Sequence, residues 1–299
     1  ARGRRAQIWA PCTGGYGIGR RGARPRFRCA MPKTFVRSRQ SGTEGLGRIP
    51  VVSDEWTTPL PGVRVFGSHE LSHRLLAEAA VHLSDRLALA CDLTAAYLWS
   101  VAVPSGFGLD IDAQACGIAT TRGGSRHRAT GIRGRRLELP PDHITSVDGI
   151  RITTPARTWI DCSALIRPTD VVAMGDAMIR SQLATRTDLE RMVVWGRGRR
   201  GIRAARQSLP ILDPAAESPA ESWVRARLVY NGVEKPVCNM EVLVQGWRFR
   251  LDMAWALAKV AVEYDGQEHH GPERSEHDQW RRELLRRDGW LVIVVTKDD

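Results

Sequence analysis

Apolar residues in the first half of the chain recur mainly at helical spacing. In His69–Leu83 they stand three and four positions apart, which predicts a surface helix with one apolar stripe. A second helix is predicted over Leu93–Trp99. From Leu109 to Ile152, short apolar runs alternate with glycines and prolines, and this alternation favours strands.

Helices are predicted to follow from residue 154 onward. Thr154-Pro155 places an N-cap residue before a proline at the first helical position. Pro168–Leu183 continues the helical pattern, and Thr187-x-x-Glu190 has the spacing of a capping box. The sequence therefore predicts an α+β module over residues 62–216 that ends in a run of helices.

The pattern changes after residue 216, where alternating apolar and polar positions predict strands. The predicted order over residues 217–299 is helix, three strands, helix, strand. The bounds are Ser218–Tyr230, Pro236–Val244, Trp247–Ala254, Lys259–Asp265, Glu276–Arg287 and Trp290–Thr296. This αβββαβ order is that of the restriction-endonuclease-like fold, an α/β domain with a mixed sheet.

Charge is distributed unevenly along the 299 residues, whose formal net charge is +11. Residues 1–50 contain 12 basic residues and only one acidic residue, so the remainder of the chain is neutral overall. Because glycines, prolines and arginines without apolar periodicity cannot build a core, residues 1–61 are predicted to be a basic, disordered head. Residues 121–206 carry a net charge of +9, which is typical of a phosphate-facing surface and equally of a solvated one.

Composition also narrows the cellular setting. The six cysteines show neither CxxC pairs nor zinc-ligand spacing, which favours reduced, buried thiols in a cytosolic protein. No stretch approaches the roughly 18–20 uninterrupted apolar residues of a membrane span. We therefore expect a cytoplasmic protein without a membrane partner.

Three carboxylates occupy corresponding positions on two predicted strands. Asp252 lies on the face of its strand opposite the apolar residues, and Glu263 and Asp265 share that face of the next strand. If the strands form a hairpin, these groups converge, and they repel one another unless a cation neutralises them. Oxygen ligands suit Mg²⁺ or Mn²⁺. Alternatively, they are solvated carboxylates with Arg248 and Arg250 as cross-strand partners.

Two stretches of the middle region resemble a known antitoxin module. Leu-Ala-Cys-Asp-Leu-Thr-Ala-Ala-Tyr-Leu-Trp (89–99) and Gly-Ile-Arg-Ile-Thr-Thr-Pro-Ala-Arg-Thr-Trp-Ile-Asp-Cys (149–162) look like the AbiEi-type antitoxin module of actinobacterial proteins. Members of that group usually begin with a winged helix-turn-helix, and this chain shows no such element before residue 62. The resemblance implies a regulator that binds DNA and pairs with a cognate toxin.

Residues 217–299 resemble a second family. Arg-Leu-Asp-Met-Ala-Trp, Val-Ala-Val-Glu-Tyr-Asp-Gly-Gln-Glu-His, Asp278-x-x-Arg281 and Leu285-x-x-x-Gly289-Trp290 are similar to the domain of unknown function 559. That family lies beside the very-short-patch-repair endonucleases in the PD-(D/E)XK superfamily. The resemblance implies a metal held by Asp252, Glu263 and the backbone carbonyl of Tyr264.

The same resemblance assigns the remaining site residues. Asp265 stands where most superfamily members carry Lys, so a cationic or proton-transfer role passes to His269 or Arg281. His269 would orient or deprotonate the attacking water, and Arg281 would steady the phosphate. Glu221 is either an acid near the metal or the second member of a capping box begun by Ser218. Asp278 is a further secondary candidate.

Two functions follow from these patterns. The first is a metal-dependent DNA endonuclease, a hydrolase acting in DNA repair or in defence against foreign DNA, with Mg²⁺ or Mn²⁺ as cofactor. The alternative is a catalytically silent, DNA-binding, antitoxin-like regulator built on a nuclease scaffold.

Overall fold

The computed structural model describes residues 35–37, 56–61, 63–66, 72–84, 87–101, 115–121, 130–266 and 272–296. The strands are β1 (Phe35–Arg37), β2 (Trp56–Leu60), β3 (Val63–Phe66), β4 (Leu89–Ala90), β5 (Cys116–Thr120), β6 (Ile132–Arg136), β7 (Ile144–Val147), β8 (Ile150–Thr153), β9 (Val237–Val244), β10 (Trp247–Trp255), β11 (Val260–Tyr264) and β12 (Leu291–Val295). The helices are α1 (His73–Leu83), α2 (Asp92–Leu98), α3 (Pro155–Cys162), α4 (Pro168–Arg180), α5 (Arg186–Trp195), α6 (Ile202–Ser208), α7 (Pro219–Tyr230) and α8 (Pro272–Arg287). Among these residues, no helix has the length and apolar character needed to span a membrane.

The chain divides into two compact units, and the first comprises residues 1–88 and 111–138. Its described part contains an antiparallel sheet in the order β1-β3-β2, the parallel pair β5 and β6, and α1. Helix α1 begins where the Ser72 hydroxyl accepts a hydrogen bond from the Leu75 N–H. Fully buried Val63 and Val65 anchor β3 in this unit.

Strands β1 and β2 fall within residues 1–61, where the sequence predicts a disordered head. Phe35 to Arg37 pair with Val65 to Val63, and Thr57 pairs with Val65. These segments are short runs of aromatic and β-branched residues, which favour a pleated strand when a partner is present. The partner, β3, lies beyond the predicted boundary, so the head considered by itself gave no sign of them. The rest of residues 1–55 lies outside the described residues.

The second unit comprises residues 89–110 and 139–299. Strand β8 pairs in parallel with β4 and antiparallel with β7, and helices α3 to α6 follow. The Trp159 indole is fully buried and donates a hydrogen bond of 2.8 Å to the Val171 carbonyl. The predicted helical run is therefore held together by a satisfied aromatic core residue.

Helix α5 begins two residues earlier than predicted. The capping box is formed by Thr185 and Asp188, each of which bonds the backbone N–H of the other, and not by Thr187 and Glu190. Both pairs have the same spacing, so sequence alone could not separate them. The earlier start places Leu189, Met192 and Val193 in the buried face of the helix.

The C-terminal elements follow the predicted order, α7-β9-β10-β11-α8-β12. They form a four-stranded sheet in the order β12-β11-β10-β9, with β11 and β12 parallel and the other pairs antiparallel. Leu251 and Leu285 are fully buried in its core. The predicted mixture of α and β structure with a mixed sheet is confirmed, and the narrower restriction-endonuclease-like fold stays a prediction.

Helix α7 is joined to α4 by a buried ion pair. Arg225 donates to the Asp176 carboxylate, and both side chains have no exposed area. Ser222 donates to the same carboxylate at 2.7 Å, and the Asp213 N–H donates to its other oxygen at 2.7 Å. Residues on both sides of the predicted domain boundary at 216 thus belong to one compact unit.

Candidate functional site

Glu221 lies in the first turn of α7. The Ser218 hydroxyl accepts a hydrogen bond from the Glu221 N–H at 3.1 Å, which caps the helix. The Glu221 carboxylate accepts from the Glu217 N–H at 2.9 Å, one residue before the position that a capping box requires. Its charge also acts on Asp252. Glu221 therefore belongs both to the helix start and to an acidic cluster.

Asp252, near the end of β10, is the centre of this cluster. Its Oδ2 accepts a hydrogen bond from the Tyr264 N–H at 3.0 Å. Burial raises the pKa of Asp252 above its usual value. The charges of Glu221 and Glu263 raise it further, while the Tyr264 N–H and Arg281 oppose the rise. We call Glu221, Asp252 and Glu263 the carboxylate cluster.

Glu263 is held by Arg281 of α8. The two terminal guanidinium nitrogens of Arg281 donate to Glu263, Nη1 to Oε2 at 2.8 Å and Nη2 to Oε1 at 2.6 Å. One of them also donates to the Arg250 carbonyl at 2.6 Å. The Glu263 side chain is 11% exposed and that of Arg281 19%. This is a bidentate, largely buried ion pair.

Asn239 of β9 joins the cluster, although the sequence analysis did not single it out. Its amide nitrogen donates to Glu221 at 3.3 Å and to the Ala215 carbonyl. Its φ of +49° lies in the left-handed region, which Asn tolerates better than most residues. The only signal in the sequence was an amide inside the apolar run Val-Cys-Asn-Met.

The remaining predicted site residues are Asp265, Tyr264, Asp278 and His269. The Arg282 guanidinium lies 3.9 Å from the Asp265 carboxylate. Tyr264 contributes its N–H to Asp252, as described above. Asp278 is half-buried on α8. His269 lies outside the described residues.

The alternative partners also differ from expectation. Arg250 forms a bidentate pair with Glu217, at 2.7 and 2.8 Å. Arg248 lies 3.9 Å from Glu241, and both of these side chains are largely exposed. The cation that reaches Glu263 is Arg281, which comes from α8 and not from a neighbouring strand.

The donor set in this arrangement does not suit a divalent metal. Both Glu263 oxygens accept from Arg281, and one Asp252 oxygen accepts from Tyr264. Within the described ranges, no three acidic, histidine or cysteine side chains are grouped so that they could hold an ion. Mg²⁺ requires near-octahedral oxygen ligands, and three of the cluster's oxygens, both of Glu263 and one of Asp252, already accept hydrogen bonds.

A second charged feature follows α5 and extends into α6. Residues 197–206, which we call the arginine segment, contain five arginines and no acidic residue. Four of them recur every third position and are exposed: Arg197, Arg200, Arg203 and Arg206. None of these four forms an ion pair with any part of the chain that the structure describes.

The backbone of the arginine segment is fixed against α3. Gly201 has a φ of +84°, and a Cβ there would overlap the backbone nitrogen of Ala164. The Ser163 hydroxyl donates to the Gly201 carbonyl at 3.1 Å. The Arg199 guanidinium lies 3.9 Å from the centre of the Trp195 ring. The two exposed arginines that precede α6 therefore lie on an anchored turn.

Residues 89–211 match the family described as the AbiEi antitoxin C-terminal domain. This confirms the predicted antitoxin-like module, and the matched range includes the arginine segment. The carboxylate cluster lies beyond it.

Two curated relatives cover more of the chain. They are the uncharacterized proteins Rv2248 and MT2308 of Mycobacterium tuberculosis, each 31% identical over 214 residues, which make up 71% of this chain and 75% of the relative. The chain belongs to the family of these two proteins. The names of these two proteins state no activity.

No solved structure matches the chain. The similarity of residues 217–299 to PD-(D/E)XK nucleases accordingly stays a prediction from sequence motifs.

Proposed function

We propose that this protein is an antitoxin-like regulator that binds DNA through the arginine segment and does not cut it. The observation that carries the proposal is the AbiEi match over residues 89–211, within which four exposed arginines form no ion pair with the described residues. A cognate toxin is the protein partner that the same match suggests.

The geometry of the four arginines suits a phosphate backbone. Arg203 and Arg206 are three residues apart on α6 and share one face of that helix. Arg197 and Arg200 precede them on the anchored turn. Each guanidinium that contacts a phosphate releases a condensed counterion, which supplies affinity without sequence preference.

The direct test compares two double variants of the full chain. Arg203→Gln with Arg206→Gln removes two charges from the arginine segment. Arg286→Gln with Arg287→Gln removes two from the end of α8, where both pair with Glu283. In a filter-binding assay with duplex DNA at low salt, we expect the first pair to weaken binding and the second to leave it nearly unchanged. Equal affinities for both would contradict the proposal.

A metal-dependent endonuclease is the second candidate. It is favoured by the meeting of Asp252, Glu263 and Glu221, whose charges interact. Since Arg281 engages Glu263, catalysis would first require that guanidinium to leave.

Plasmid nicking with Mg²⁺ or Mn²⁺ separates the two candidates. The regulator proposal expects no nicking by the wild type and no change on Glu263→Gln. Nicking by the wild type that Glu263→Gln abolishes, with DNA binding and circular dichroism unchanged, would establish the endonuclease.

A further inference from the structure

The carboxylate cluster already contains a cation. Arg281 contacts three oxygens, two on Glu263 and one on the backbone of Arg250. The planar guanidinium matches a carboxylate in two parallel hydrogen bonds, which a lysine could not do. The cluster therefore has an internal counter-ion of fixed geometry.

This counter-ion acts on both strand carboxylates of the cluster. Asp252 and Glu263 lie on adjacent antiparallel strands, and Arg281 acts electrostatically on Asp252 while bonding Glu263. With the guanidinium in place, an arriving ion would find one positive charge already present and the Glu263 oxygens occupied. It would also have to lose water, which Mg²⁺ does reluctantly.

We propose that Arg281 is the resident cation of the carboxylate cluster, taking the place of a divalent metal and fastening α8 to the sheet. An external ion binds this cluster only by displacing Arg281. Because Arg281 is tethered to the same chain, its effective concentration at the cluster is high and does not depend on the metal supply.

The proposal predicts how the cluster responds when its cation is removed. In Arg281→Met, the Glu263 carboxylate loses its partner in a largely buried position, which destabilises the chain. The same change frees the Glu263 oxygens for a hard cation. The double variant Arg281→Met with Glu263→Gln removes both charges, so it should be more stable than Arg281→Met and should lack the freed ligand.

The experiment uses Mn²⁺ as the probe and the full chain. Electron paramagnetic resonance of free Mn²⁺ measures binding, and the unfolding temperature with and without Mn²⁺ measures its effect on stability. We expect no binding by the wild type. For Arg281→Met we expect a lower unfolding temperature that Mn²⁺ raises. For the double variant we expect no response to Mn²⁺.

Arg281→Lys keeps the positive charge without the planar fork and is the matched control. It should lose part of the stability and still exclude Mn²⁺. Two results would overturn the proposal. One is stoichiometric Mn²⁺ binding by the wild type that Glu263→Gln abolishes, a result that stands even if Arg281→Met fails to fold. The other is an Arg281→Met variant as stable as the wild type with no affinity for Mn²⁺. Neither result depends on DNA binding by the arginine segment.

Discussion

Arg281 and the arginine segment use the same side chain in opposite ways. The Arg281 side chain is 19% exposed and donates hydrogen bonds to Glu263 and to a backbone carbonyl. Arg200 and Arg203 are exposed and form no ion pair with the described residues. The first guanidinium satisfies an internal charge, whereas the second group is available to an external polyanion.

The difference shows why net charge alone is a poor guide to where DNA binds. A cation that is paired inside the fold contributes nothing to phosphate binding until its partner releases it. The carboxylate cluster and the arginine segment should therefore respond separately to substitution, the former in stability and the latter in DNA affinity.

Asp176→Asn should have the largest effect on stability. It adds Arg225, a fully buried arginine, to the comparison between Arg281 and the exposed arginines. It leaves Arg225 with a weakened partner in a position with no exposed area. Breaking a buried ion pair costs on the order of 3–5 kcal/mol. Urea unfolding followed by circular dichroism measures the loss. A change in the free energy of unfolding below about 1 kcal/mol would contradict the prediction, because the Arg225–Asp176 pair would then contribute no more than a surface ion pair does.

Gly201→Ala should have a smaller effect on stability, and it tests whether the anchored turn contributes to DNA binding. A side chain at a φ of +84° is strained, and here it would also overlap the Ala164 backbone. We expect a loss on the order of 2 kcal/mol, together with weaker DNA binding because the arginines lose their fixed spacing. Gly198→Ala is the matched control, since its φ is also positive but a Cβ there meets no atom within 4 Å. DNA affinity that is unchanged in Gly201→Ala would show that the anchoring is irrelevant to binding.

Asp252→Asn should have the smallest effect on stability, and in the opposite direction. The pKa of Asp252 is raised, mainly by burial, so the folded chain binds that proton more tightly than the unfolded chain does. Ionised Asp252 therefore lowers stability near neutral pH, and the penalty disappears as the pH falls through the raised pKa.

Asparagine keeps an oxygen for the Tyr264 N–H and removes the charge. Relative to wild type, the variant should be more stable at pH 7, and the gain should shrink toward about pH 4. Thermal unfolding across this pH range tests the prediction, and a variant less stable at pH 7 would contradict it.

The sequence predicted the elements of the C-terminal region well because each strand there alternates cleanly. The ends of β9, β10 and β11 fall within one residue of their predicted positions. The same alternation placed Asp252 and Glu263 on one face, and their electrostatic interaction agrees with that placement. Local periodicity was sufficient for these features.

Three features depend on contacts between distant parts of the chain, and the sequence did not reveal them. Arg281 reaches Glu263 across 18 positions, from helix to strand. Asn239, whose φ of +49° departs from strand geometry, donates to Glu221 of α7. Strand β1 exists through its pairing with β3. Such contacts are set by tertiary packing, which overrides local preference.

The salt dependence of duplex-DNA binding tests the central claim most directly. The full chain is compared with a variant in which four arginines are glutamine: Arg197, Arg200, Arg203 and Arg206. The unfolding temperatures of the two proteins should be equal, which shows that the substitutions leave the fold intact. Each lost phosphate contact reduces the slope of log affinity against log salt by about 0.9, so the account predicts a reduction of roughly 3–4 for the four residues. An unchanged slope and affinity would contradict the account, because DNA would then be bound elsewhere or not at all.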